Sequence, residues 1–181
     1  MTDDSNQLRM TVYSSLFAAL VAVGAFISIP IGPVPIVLQN FFVLLAALLL
    51  GPRWGVAAVS VYLLAGLCGL PVFAGGTAGI GRLMGPTGGY LLGYLPAVAV
   101  TAWISKKGGC RPGTDIVAMI CGSLLVYGCG VPWLKMVTGM PFSKALMVGM
   151  VPFLIGDALK IAAAVPVARA VRPIVQGRVG K

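Results

Sequence analysis

Two residues of opposite charge lie three positions apart inside a long apolar run. The run is VPFLIGDALKIAAAV (151–165), and its charged residues are Asp157 and Lys160. Residues three positions apart share one face of a helix, and a single charge near the bilayer centre costs about 2.5–3.5 kcal/mol on insertion scales. An acid and a base held there suit a ligand with both N–H donors and a carbonyl acceptor, such as a ureido or amide ring. The alternative is a structural ion pair that fixes helix packing.

The other residue types exclude most enzyme chemistry. The chain contains no histidine, so triads built on histidine, zinc-protease motifs and histidine haem ligation are excluded. The four cysteines lack the spacing of metal ligands. The sequence holds neither a nucleophile-elbow motif nor a P-loop, so this chain does not hydrolyse ATP at a P-loop. We therefore predict no catalytic residue, no metal site and no cofactor.

A glycine-rich segment, FAGGTAGIGRLMGPTGGY (73–90), is the second candidate binding element. Glycines adopt positive φ without strain, so such a loop can fold into the mouth of a bundle and offer backbone N–H groups; the alternative is a set of tight turns. Thr87 is a candidate ligand contact or a helix N-cap. Tyr90 is a candidate contact or an aromatic anchor at the membrane interface. Arg82 would receive a ligand carboxylate or lie in solvent.

Small residues recur every four positions in YSSLFAALVAVGAF (13–26), at Ser14, Ala18 and Ala22. A stripe of this kind lets a second helix approach closely. The second helix belongs either to this chain or to a partner membrane subunit, and the sequence leaves both open.

The composition is that of an integral membrane protein. Apolar residues make up 59% of the 181 residues and charged residues only 9%, with a mean hydropathy of +1.00, whereas soluble domains carry about 25% charged residues. The net charge of +9 is spread over short gaps between apolar runs, which argues against a nucleic-acid partner. We predict an all-α membrane protein in contact with lipid.

The apolar runs predict one transmembrane domain of six helices over residues 1–181, without a cleavable signal peptide. The prolines of SIPIGPVP (28–35) end the first run, and GPRWG (51–55) separates the second from the third. The predicted spans are approximately 10–29, 34–50, 54–70, 87–105, 116–134 and 145–170.

Lysine and arginine are distributed unequally between the two sides of this arrangement. With the N-terminus inside, three lie in outer segments (Arg82, Lys135 and Lys144), and nine lie in inner segments (Arg9, Arg53, Lys106, Lys107, Arg111, Arg169, Arg172, Arg178 and Lys181). The positive-inside rule then predicts a multi-pass protein of the inner (plasma) membrane with both termini cytoplasmic and the glycine-rich loop outside.

Three segments resemble the BioY family, the biotin-specific substrate-binding (S) components of energy-coupling factor (ECF) transporters. They are PVPIVLQNFFVLLAALLLGPRWG (33–55), GLPVFAGGTAGIGRLMGPTGGYLLGY (69–94) and GDALKIA (156–162). The resemblance implies a compact six-helix S-component bundle that binds biotin from outside and is not an enzyme. It also implies docking on a transmembrane coupling subunit (EcfT-type) with two cytoplasmic ABC ATPases. ATP hydrolysis by these partners would reorient the S component, in a motion described as toppling in the membrane, and so release biotin inside. Some members are thought to act without dedicated partners.

The resemblance also assigns roles to individual residues. Asp157 and Lys160 match polar ligand contacts, and we expect Asp157 to accept from the ureido N–H groups and Lys160 to donate to the ureido oxygen; in the reverse pose Lys160 meets the carboxylate. The other residues expected at the biotin site are Gln39, Gly75, Gly76, Thr77, Thr87 and Tyr90. Ser14, Ala18 and Ala22 match the small-residue face that S components use for docking.

Three alternatives to a biotin-binding subunit stay open at this stage. One is the same fold with another vitamin, such as riboflavin or thiamine. The second is an intramembrane enzyme that uses Asp157 and Lys160 as base and acid. The third is a purely structural membrane subunit, which would bind no small molecule.

Overall fold

The computed structural model describes residues 3–30 and 32–176, and most of these residues are helical. The predicted inner cations Arg178 and Lys181 lie outside the described residues. In chain order the elements are α1 (Asp3–Phe26), β1 (Ser28–Ile29), β2 (Ile36–Val37), α2 (Gln39–Leu67), α3 (Ile80–Met84), α4 (Gly88–Lys107), α5 (Pro112–Thr138), α6 (Phe142–Gly149) and α7 (Val151–Val175).

Five helical stretches of the described chain are long and apolar enough to cross a membrane. They are Asp4–Phe26, Gln39–Leu67, Gly88–Lys107, Pro112–Thr138 and Phe142–Val175. The sixth predicted crossing lies inside α2, which is a hairpin of two helical legs rather than one straight helix.

The hairpin in α2 turns at Gly51. This residue has φ 77° and ψ −178°, a conformation that glycine adopts without strain, and Pro52 follows with no N–H to donate. A methyl group built on Gly55 would lie 3.5 Å from the carbonyl oxygen of Ala46. Nine residues of straight helix would put these positions about 13 Å apart. The two legs, residues 39–50 and 52–67, therefore run antiparallel, and the predicted connection 51–55 is a single non-helical residue.

The first leg of this hairpin is short, and that places polar residues deep in the bundle. Residues 39–50 rise about 18 Å, against about 30 Å of hydrocarbon. The antiparallel ladder β1–β2, with Ser28 opposite Val37, lies in the interrupted stretch before the leg. Non-helical backbone at such depth occurs where it lines a cavity, and Val34, Pro35 and Val37 do line one.

The predicted span 145–170 is interrupted in the structure. Met150, with φ −135° and ψ −55°, separates α6 from α7. Pro152 lies in the first turn of α7, where its missing N–H is tolerated, and it is disfavoured inside a continuous helix. The break has a consequence for the site: the Phe153 amide donates to Met150, so the carbonyl of Gly149 is free of the i+4 bond that a continuous helix would give it.

One end of the bundle holds residues 3, 51, 108–111 and 175, and we call it the terminal end. A buried ion pair joins four helices there. The guanidinium of Arg172 donates to the carboxylate of Asp115 at 3.0 Å and to the carbonyl oxygens of Cys110 (2.8 Å) and Leu48 (3.2 Å). The Ser105 hydroxyl donates to the same carboxylate. The sequence placed Arg172 just beyond the predicted span 145–170, among the cations of the inner segments; it is instead buried and belongs to α7.

Candidate functional site

A cavity of about 580 Å³, counting its open mouth, lies at the end of the bundle opposite the terminal end. Its walls come from the first leg of α2, α4, α5 and α7, together with α3 and the residues before it. The cavity brings together Gln39, Thr87, Tyr90, Asp157 and Lys160, which are distant in sequence and were all predicted at the site.

Asp157 and Lys160 form an ion pair on the cavity wall. The Lys160 Nζ lies 3.3 Å from Asp157 Oδ1, and both side chains are largely buried. The other carboxylate oxygen of Asp157 accepts a hydrogen bond from the Tyr127 hydroxyl. A carboxylate accepts about four hydrogen bonds and an ammonium donates three. Both groups therefore keep unused capacity for a ligand, since both line the cavity.

Tyr90 contributes ring surface rather than a free hydroxyl. Its hydroxyl donates to the carbonyl of Gly149 at 2.8 Å, the carbonyl released by the break at Met150. Its ring lies against Gly130 of α5, where a methyl group would overlap the ring atoms. Tyr90 is only 7% exposed, so it is a fixed wall of the cavity and not an anchor at the membrane interface.

Three polar side chains on the cavity wall carry buried atoms that find no hydrogen-bond partner among the described residues. They are Gln39 Nε2, Asn40 Oδ1 and Thr87 Oγ1. Thr87 does not cap α4 with its side chain, so the N-cap role that the sequence left open is excluded. An unsatisfied buried polar group costs about 1–3 kcal/mol, and native proteins pair nearly all such groups. These atoms therefore mark places where a polar ligand or water would bind.

The turn formed by Gly75, Gly76 and Thr77 has the positive φ angles expected of its glycines, but it does not line the cavity. Gly75 and Gly76 have φ of 77° and 69°, and the turn is closed by the Gly76 amide donating to the Phe73 carbonyl at 3.0 Å. The Thr77 hydroxyl donates to Ala74 at 3.1 Å. Gly75, Gly76 and Thr77 are exposed, while Phe73 and Ala74 face the cavity. The turn thus presents its preceding residues to the cavity.

Arg82 lies on α3 at the cavity wall and is half-buried. Of the two roles left open by the sequence, the structure favours the one that faces a ligand. The cavity wall thus carries Arg82 in addition to the Asp157–Lys160 pair, together with the apolar side chains of Phe73, Val126 and Phe153.

The small-residue stripe of α1 packs mainly inside the chain. Ser14 and Ala18 are buried, at 5% and 7% exposure, and the Ser14 hydroxyl donates to the Trp54 carbonyl of α2 at 3.1 Å. Ala22 is half-buried. This arrangement is what the packing interpretation predicts. An exposed row of small residues on α1, which includes Ser15 and Ala19, is offset from this stripe by one residue toward the C-terminus.

Sequence reasoning missed Asn40 and Tyr127. Asn40 had a readable signal, since it follows Gln39 inside a run of uncharged residues from 10 to 52. Tyr127 had none, because its contact with Asp157 depends on how α5 packs against α7. Within the described part of the chain, no group of three cysteine or acidic residues is placed to hold a metal ion.

Comparison with known proteins gives concordant matches over nearly the whole chain. The BioY family model matches residues 1–177. The "Probable biotin transporter BioY" of Pyrococcus horikoshii is 42% identical over 154 residues, which cover 85% of this chain and 90% of the relative. The "Biotin transporter BioY" of Thermotoga maritima is 40% identical over 161 residues, 89% of this chain and 94% of the relative.

A solved structure extends the likeness to the fold. It is the 2.1 Å crystal structure of the S-component for biotin from an ECF-type ABC transporter, which is 31% identical, superposes with a TM-score of 0.88, and matches over 95% of this chain and 94% of its own. The family model, the relatives and the fold agree, and the chain belongs to the BioY family.

Proposed function

We propose that this chain is the biotin-binding S component of an ECF-type vitamin transporter, which captures biotin outside the cell and releases it inside. The observation that carries the proposal is the Asp157–Lys160 pair on the wall of the cavity, with Tyr127 bound to the same carboxylate. The relatives are named biotin transporters, and the similar structure is an S component for biotin.

The ureido ring of biotin fits the charged wall of the cavity. Asp157 accepts from the ring N–H groups, and Lys160 donates to the ureido oxygen with an N–H not used in the ion pair. In this pose the aliphatic chain of biotin lies along the apolar wall near Phe73 and Phe153. Its carboxylate then meets Arg82, and Thr87 is a further donor on the cavity wall.

The proposed membrane orientation puts the terminal end in the cytoplasm and the cavity outside. Arg53, Lys106, Lys107 and Arg111 lie at the terminal end, as the positive-inside rule requires of the cytoplasmic side. Docking on an EcfT-type coupling subunit with two cytoplasmic ABC ATPases follows from the ECF assignment. On α1 we assign this docking to the exposed row with Ser15 and Ala19, because Ser14 and Ala18 are already covered by the chain itself.

Titration calorimetry of the detergent-purified chain tests substrate and pose together. The ligands are biotin, biotin methyl ester, riboflavin and thiamine. We expect biotin to bind, riboflavin and thiamine not to bind, and the methyl ester to bind more weakly than biotin because it lacks the carboxylate. In Arg82→Gln that difference between acid and ester should shrink, whereas in the exposed control Arg111→Gln it should remain.

Two results would contradict the proposal at different points. Binding of riboflavin or thiamine with no heat from biotin would overturn the substrate. An Arg82→Gln variant that still prefers the acid over the ester as strongly as the unmodified chain would overturn the pose, and would favour the reverse one with the carboxylate at Lys160.

A further inference from the structure

A second hollow lies on the outside of the bundle, between α5 and α7. It encloses about 1,030 Å³ including its open side, and its walls are almost entirely apolar. Ile116, Ile120 and Leu124 form its α5 wall and are 41–52% exposed. Ala158 and Ala162 form part of its α7 wall, and their small side chains leave the groove deep. We call this hollow the α5/α7 groove.

The α5/α7 groove has the length of one lipid leaflet. Along α5 it extends from Ile116, one turn from the terminal end of the helix, to Tyr127. Eleven residues of helix rise about 16 Å, and half of a 30 Å hydrocarbon core is about 15 Å. A single acyl chain that enters from the terminal end would therefore fill the groove and end near mid-membrane.

A cation marks the terminal end of the groove. Ala158, Ala162 and Pro166 form a row at helical spacing along α7, and Arg169 is the next residue of that row. Arg169 is exposed, and among the side chains that the structure describes no carboxylate pairs with it. Its neighbour Arg172 is buried and bound to Asp115. Of these two arginines, only Arg169 is available to a group outside the bundle.

We propose that the α5/α7 groove binds one acyl chain of an anionic phospholipid, whose phosphate is held by Arg169. An arginine at a helix end extends its side chain toward the headgroup level while its methylenes stay in apolar surroundings. Each basic residue near the surface favours anionic over zwitterionic lipid, by about fivefold in binding. The occupant also reaches Asp157 and Tyr127, which line the groove on one side and the first cavity on the other, so a bound chain closes the site from the membrane.

Native mass spectrometry of the detergent-purified full chain tests the proposal. The probes are phosphatidylglycerol and phosphatidylcholine with the same acyl chains, added separately and without biotin, so the result does not depend on the proposed substrate. We expect one phosphatidylglycerol to be retained about fivefold more than phosphatidylcholine. Arg169→Gln should remove this preference, and Ala162→Leu, which fills the groove, should lower retention of both lipids.

Matched controls separate the groove from the rest of the surface. Ala163→Leu adds the same bulk at the next residue, which is exposed but outside the groove, and Arg111→Gln removes another exposed cation. Both should retain lipid as the unmodified chain does. Equal retention of the two lipids overturns the anionic headgroup. Unchanged retention in Ala162→Leu, or no lipid retained by the unmodified chain, overturns the lipid site. If in either case Ala162→Leu also loses vitamin uptake, the groove instead receives a helix of a partner.

Discussion

Replacing Gln39 by methionine should change stability and ligand affinity in opposite directions. Gln39 is 2% exposed and lines the cavity, and its side-chain nitrogen makes no hydrogen bond of ordinary geometry to a described residue, although the Tyr62 hydroxyl, which is likewise unpaired, lies beside it. Methionine keeps nearly the same length and volume without the amide. An unpaired buried donor costs about 1–3 kcal/mol of stability, so in the ligand-free protein the substitution should be stabilising. In the complex it removes a donor that biotin would pair.

The magnitudes follow from that one unpaired group. A gain of about 1 kcal/mol corresponds to a rise in unfolding temperature of about 2–4 °C for a chain of this size. A loss of about 1–3 kcal/mol on binding corresponds to a 5- to 150-fold weaker Kd. Thermal unfolding in detergent without ligand gives the first quantity, and titration calorimetry with biotin gives the second.

The matched control is Gln7→Met, the same change at an exposed residue of α1, which should move neither quantity. An unchanged Kd in Gln39→Met would show that this amide does not contact the ligand. A lower unfolding temperature would show that the amide is already paired inside the protein, and would refute the inference from unpaired atoms to ligand contacts.

Three further substitutions test other parts of the structure. Tyr127→Phe removes a donor to the carboxylate of Asp157, a bond to a charged group worth about 1.5–3 kcal/mol, and calorimetry should show biotin binding weakened about tenfold or more. Arg172→Gln leaves Asp115 buried without its partner, and unfolding should show a loss of about 3–5 kcal/mol. Ala19→Trp, on the exposed row of α1, should leave biotin binding unchanged but block ATP-coupled uptake in cells that contain the partner subunits. An unchanged affinity of Tyr127→Phe for biotin would contradict the first expectation. An Arg172→Gln variant as stable as the exposed control Arg111→Gln would contradict the second, and normal uptake by Ala19→Trp would contradict the third.

Sequence patterns predicted what depends on single helices and local backbone. The apolar runs and the prolines of 28–35 located the membrane segments, and the helical spacing of Asp157 and Lys160 predicted a shared face, which the structure shows as an ion pair. The positive φ of Gly75 and Gly76 follows from glycine's lack of a side chain. These features need no knowledge of how the helices pack.

Features that depend on packing between distant segments were not predictable. Arg172 is bound to residues 57 and 124 positions away in sequence, and by sequence alone it is one more cation near the C-terminus. The break at Met150 lies in an apolar run where hydropathy does not change. Ser14 and Ala18 have the spacing of a docking stripe, but close approach serves internal packing equally well, and only the fold distinguishes the two.

The central claim is that Asp157 binds the ureido ring of biotin, and calorimetry of four proteins tests it most directly. They are the unmodified chain, Asp157→Asn, the charge-balanced double variant Asp157→Asn with Lys160→Gln, and the exposed control Asp4→Asn. We expect the control to bind biotin normally. Both site variants should unfold cooperatively yet bind at least tenfold more weakly, because a hydrogen bond to a charged group is worth about 1.5–3 kcal/mol. A folded double variant with the affinity of the unmodified chain would show that the buried pair is structural and that biotin binds elsewhere or not through these charges.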